Sequence, residues 1–143
     1  MKRTFKTIVA VFVAALTLSL TGCQKDPEDL ILGTWLENEV TMTYTQGGQS
    51  MTMPGLEQGE TVEMTFNEDG TYKSVYHSND GDAEDNGTWS IKDNKLTTVS
   101  EGEAITFNID LLDKKNCNLS YTESDEDEDG PYTLSIVIKM TKK

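Results

Sequence analysis

The sequence predicts an all-β fold, an eight-stranded antiparallel up-and-down barrel behind an N-terminal signal peptide, with a β-sandwich as the alternative architecture. Three observations predict it. Short runs rich in Thr, Val, Ile, Tyr and Phe recur along the chain, separated by Gly, Asn and Asp punctuation. Several of these runs alternate apolar and polar residues with a period of two, the pattern of a strand with one buried face. No long segment carries the period of an amphipathic helix.

The first element is an export signal. Lys2, Arg3 and Lys6 form a positive start with no acid, followed by an apolar run over residues 7–20. That run is short of the roughly 20 residues that span a bilayer and fits the apolar core of a signal peptide over residues 1–22. It ends in Leu20-Thr21-Gly22-Cys23, which resembles a bacterial lipobox. The resemblance implies cleavage before Cys23, a diacylglycerol on its sulfur and a palmitate-type acyl chain on its amine. Each buried methylene contributes about 0.8 kcal/mol, so several chains make a durable anchor. An ordinary signal peptide with an incidental cysteine is the alternative. Residues 23–29 then read as a lipidated N-terminus and acidic tether, similar to those that send lipoproteins of Bacteroidota-type bacteria to the cell surface; a plain solvated linker is the other reading. Gln24 in place of aspartate argues against inner-membrane retention. The expected location is the outer membrane, lipid-anchored, with surface exposure.

Residues 30–143 form the domain. Strands are expected over 33–44, 60–66, 71–78, 86–92, 95–100, 103–111, 117–122 and 132–141. Alternation is clearest in Val62, Met64 and Phe66, in Ile105, Phe107, Ile109 and Leu111, and in Tyr132, Leu134, Ile136, Ile138 and Met140. Asp69-Gly70, Asp93-Asn94 and residues 113–116 carry tight-turn chemistry. The segments 45–59, 79–85 and 123–131 read as long loops. Successive connections of a meander fall at opposite ends, so the tight turns share a closed end and the long loops surround an open mouth. Eight strands can close and leave no edge, with an interior that just fits packed side chains or one small ligand.

Charge gives this barrel a polarity. Losing residues 1–22 removes three basic residues and no acid, which makes the net charge of −13 three units more negative. Such a surface repels phosphates, and nucleic acid is excluded as a partner. More than half of the 25 acidic residues fall at the mouth. Lysines collect at the closed end, among them Lys92, Lys95, Lys114, Lys115, Lys139, Lys142 and Lys143. The base suits anionic headgroups, and the mouth attracts cations or a basic protein partner; plain solubility explains the same charges.

Three motifs point to a family. Gly33-Thr34-Trp35 opens the first strand, Phe66-Asn67-Glu68-Asp69-Gly70-Thr71-Tyr72 forms a hairpin, and Gly87-Thr88-Trp89 precedes Asp93-Asn94. Their order resembles the lipocalin-like domain of Bacteroidota lipoproteins, a calycin-like barrel, over residues 30–141. The resemblance implies that Trp35 plugs the base of the barrel. The family often sets an arginine of the last strand against that tryptophan; here the last strand offers Lys139, and Lys142 follows. If Trp35 points inward, so do Glu37 and Glu39, so the first strand must bend or bulge to bring Val40, Met42 and Tyr44 inside.

Catalysis has little support. His77 is the single histidine, which rules out a histidine metal cage and leaves no triad to argue. Cys117, left unpaired by Cys23, alternates with Leu119 and Tyr121 and reads as a small core residue. No phosphate loop or cofactor motif is present. Asp125, Asp127 and Asp129 open like a calcium loop, but the twelfth position, where an EF-hand needs glutamate, is Ile136; only a looser divalent-cation site would remain. Segment 45–59, with Met51, Met53, Pro54 and Leu56, reads as a lid, a contact surface or a cap over the core. The candidate ligand-facing residues are Met64, Phe66, Tyr72, Tyr76, Trp89, Ile91, Phe107, Ile109, Leu119, Leu134 and Ile136. The expected function is non-enzymatic binding of a small apolar ligand or a partner at the acidic open end. An envelope interaction module or inhibitor with a filled barrel is the alternative.

Overall fold

The computed structural model describes residues 25–143; the expected signal peptide and Cys23 lie outside the described residues. A helix comes first, α1 (Pro27–Ile31). Pro27 brings no N–H to satisfy in the first turn. Asp26 caps the helix by accepting from the Glu28 backbone N–H at 3.2 Å. Part of the expected tether is therefore folded, and Ile31 is fully buried.

Nine strands follow: β1 (Gly33–Gln46), β2 (Gln49–Pro54), β3 (Thr61–Phe66), β4 (Thr71–Ser78), β5 (Gly81–Lys92), β6 (Lys95–Ser100), β7 (Glu103–Leu112), β8 (Asn116–Asp127) and β9 (Gly130–Lys142). All neighbours are antiparallel and in chain order from β3 to β9, and β1 pairs with β9 to close the barrel. The other edge of β1 is divided. Its first part, Gly33–Glu37, pairs with β3; its last part, Thr41–Gln46, pairs with β2. Eight strands make the barrel, and β2 is an extra strand beside the upper half of β1.

The three expected long loops are corrected by the structure. Segment 45–59 holds the β1–β2 hairpin, which turns at Gly47-Gly48 with φ of 59° and 78°, angles that glycine adopts without a Cβ clash. Segment 79–85 is mostly strand, with β5 starting at Gly81, and segment 123–131 is the paired ends of β8 and β9. These arms reach past the apolar core, so both of their faces meet solvent. No apolar alternation marks them, and their Asp, Asn and Gly content imitates a loop. Only the β2–β3 connection remains long.

The turns β3–β4, β5–β6 and β7–β8 gather at one pole, which backbone bonds tie shut. Trp89 N–H donates to the Gly70 carbonyl at 2.8 Å, Ile109 N–H to Asn94 at 3.0 Å, and Lys142 N–H to Lys115 at 2.8 Å. Gly87 permits a close approach of β5 and β6: a Cβ there would stand 1.9 Å from the Val99 carbonyl oxygen. Outside, hydroxyls pair across strands, as in Thr34 with Thr65, Thr97 with Thr106 and Ser124 with Thr133.

Candidate functional site

The barrel interior has three levels. The lowest is a packed core of Ile31, Trp35, Phe66, Tyr72, Leu96, Ile109, Cys117, Leu119 and Met140. Trp35 is fully buried at this end. Its indole N–H donates to the Ile31 carbonyl at 2.6 Å, and the Lys142 ammonium lies 5.0 Å from the ring centroid. Lys142 thus occupies the place that the resemblance gives to an arginine, while Lys139 turns outward to Glu39. Burial pushes the Cys117 thiol up to about 12, far from the range of a nucleophile.

The middle level holds Glu37. The expected bulge lies between Glu37 and Glu39 and sends them to opposite sides. Glu39 is exposed and pairs with Lys139 at 3.1 Å. Glu37 stays on the inner face, opposite Val62 and Met140, and is only 9% exposed. Burial raises its carboxyl from 4.5 to about 7. Val40, Met42 and Tyr44 follow on the inner face, opposite Ile138, Ile136 and Leu134. Strict alternation from Trp35 already put Glu37 inside; what the sequence did not single out was that it remains there without a partner.

The upper level is open and tyrosine-lined. Ile105, opposite the buried Thr98, is 46% exposed although it faces inward. Tyr44 stacks on Tyr132 with centroids 5.4 Å apart. Tyrosine hydroxyls donate to carboxylates: Tyr121 to Glu123 at 3.0 Å and Tyr76 to Glu60 at this level, and Tyr72, whose ring belongs to the core below, to Asp85 at 2.6 Å. Ser100 adds a further bond to Asp85. Tyr72 is pushed up to about 12, first by burial and then by Asp85; Tyr76 reaches about 12, first through its hydrogen bond to Glu60.

The eleven candidate ligand-facing residues divide across these levels. Phe66, Tyr72, Ile109 and Leu119 belong to the buried core, and Met64, Trp89, Ile91 and Phe107 pack against it. Tyr76, Leu134 and Ile136 line the open level. Asp125, Asp127 and Asp129 do not converge. Asp125 and Asp127 accept from the backbone N–H groups of Glu126 and Asp129, and Gln46 donates to Asp127 at 2.7 Å. Among the described residues, no three His, Cys, Asp or Glu side chains gather as a metal site. A cleft of about 690 Å³ lies at the rim between the β1–β2 and β8–β9 hairpins. Another of about 840 Å³ lies at the base, between the start of α1 and the β7–β8 turn.

Residues 31–119 match the family of the lipocalin-like domain. The chain belongs to that family. A crystal structure of an uncharacterized protein from Bacteroides eggerthii is similar, with 13% identity, 79% of this chain and 99% of that chain covered, and a TM-score of 0.49. So is that of a lipocalin-like protein from Bacteroides uniformis, with 19% identity, coverages of 79% and 98%, and a TM-score of 0.46. No curated protein matches the chain. The match to the lipocalin-like domain takes in β1 to the first third of β8, and with it Trp35 and Glu37.

Proposed function

We propose that this lipocalin-like protein is a lipid-anchored, non-catalytic binding protein that holds a small, largely apolar molecule in the upper half of its barrel. One observation carries the reading: the core fills only the closed end, while inward-facing residues above it, Ile105 foremost, meet open space. A barrel filled along its whole length would leave no such wall. Lipid attachment rests on the lipobox at Cys23. Because α1 covers the base and begins four residues after Cys23, an anchor there would hold the lysine-bearing base toward the outer membrane and turn the acidic mouth away from it.

Native mass spectrometry of the protein extracted from its host in mild detergent tests the binding claim. A discrete adduct of a few hundred daltons supports it, and a stable protein complex without such an adduct supports the interaction module instead. Labelling with tritiated palmitate tests the anchor, with label lost in Cys23→Ser.

A further inference from the structure

Glu37 is an anomaly in this interior. An ionised carboxylate is costly to bury unless a cation or several hydrogen bonds compensate it. Glu37 has neither: among the described residues no donor bonds to it, and its neighbours on the inner face, Val62 and Met64 of β3 and Met140 and Ile138 of β9, are apolar. The nearby cations are committed elsewhere. Lys139 is paired with Glu39 and Lys143 with Glu63, and Lys142 donates to the Leu30 carbonyl at 3.0 Å and lies over the Trp35 ring. Among the described residues, no side-chain oxygen or nitrogen is both sealed off and unbonded. The partnerless Glu37 carboxylate therefore keeps a small accessible surface, within a residue that is only 9% exposed.

We propose that Glu37 is the anchor for the positively charged amine of an amphiphilic ligand, an organic ammonium whose apolar body fills the cup. This rests on the reading of the barrel as a ligand cup and adds the ligand's chemical class. The site is built for such a molecule. The ammonium would supply the missing partner at the floor. Tyrosine faces, as in the stacked Tyr44 and Tyr132, attract cations as well as apolar surface. The acidic rim raises the local concentration of cations at the entrance. A fatty acid would meet the opposite: its carboxylate would confront Glu37 below or the acidic rim above.

Isothermal titration of the full chain in phosphatidylcholine nanodiscs, with empty nanodiscs as the blank, tests this with octylamine, octanol and octanoate. Octylamine is expected to bind at least tenfold more tightly than the other two. In Glu37→Gln that preference disappears, while Glu39→Gln, which loses an ion pair on the outer face, keeps it. Octylamine affinity is expected to fall about tenfold from pH 8 to pH 6 as Glu37, with its carboxyl at about 7, becomes protonated. Equal binding of all three probes, or an amine preference that survives Glu37→Gln, overturns the anchor and leaves the cup intact. Failure of every probe to bind overturns the cup together with the anchor.

Discussion

The Lys142 ammonium sits over the Trp35 indole, 5.0 Å from its centroid, and donates to the Leu30 carbonyl just ahead of the Ile31 carbonyl that accepts the indole N–H. Helix, first strand and last strand are thereby joined at one point. Trp35→Ala is expected to cost about 4 kcal/mol through the cavity it leaves. Lys142→Met is expected to cost about 1 kcal/mol, because the alkyl packing survives and only the cation–π contact and hydrogen bond are lost. Urea denaturation measures both.

Glu37 makes stability depend on pH in an unusual direction. Its folded carboxyl stands at about 7 against 4.5 for an ordinary glutamate, so the folded state binds more protons between these values. Stability contributed at this site therefore falls as pH rises from about 4.5 to 7 and stays low above it. The penalty at pH 8 is on the order of 3 kcal/mol. Glu37→Gln should be the more stable protein at pH 8, and its advantage should shrink toward pH 5. Thermal melts of both proteins at the two pH values check this; a constant difference contradicts it.

Gly87→Ala should destabilise the protein by about 3 kcal/mol or more, because the new methyl would meet the Val99 backbone carbonyl and not a movable side chain. The loss is readable as a lower urea midpoint with unchanged slope.

Cys117 is fully buried and its thiol stands at about 12. It should not react with a water-soluble disulfide reagent at pH 8 until the protein unfolds. Reaction in the native state within minutes would show that the closed end opens.

Much of this was legible in the residues. The alternation of Ile105, Phe107 and Ile109, and of Leu134, Ile136 and Ile138, placed the inner face of β7 and β9 because burial selects apolar side chains on one side of a pleat. The bulge in β1 followed from Trp35 and two glutamates at even spacing, which one regular strand cannot satisfy together. The arms of β4–β5 and β8–β9 were hidden for the converse reason: Gly81–Asp85 and Glu123–Asp127 lie where neither face is buried, so selection left solubility and no period. β2 is exposed along its whole length and reads as a loop on the same grounds. Glu37 was placed by alternation, but its isolation depends on where Lys139, Lys142 and Lys143 spend their charges, which strand pairing alone decides.

The central claim is that the barrel is closed and packed below Glu37 and open above it. Ile105→Cys, treated with a bulky water-soluble maleimide in the folded state, tests it most directly, with Cys117 as the buried internal control. In a Cys23→Ser background, where Cys117 is the remaining native thiol, one label is predicted, mapped by peptide mass spectrometry to position 105, with Cys117 untouched. A folded protein that takes no label at position 105 would mean a barrel filled to its rim, and would contradict the account.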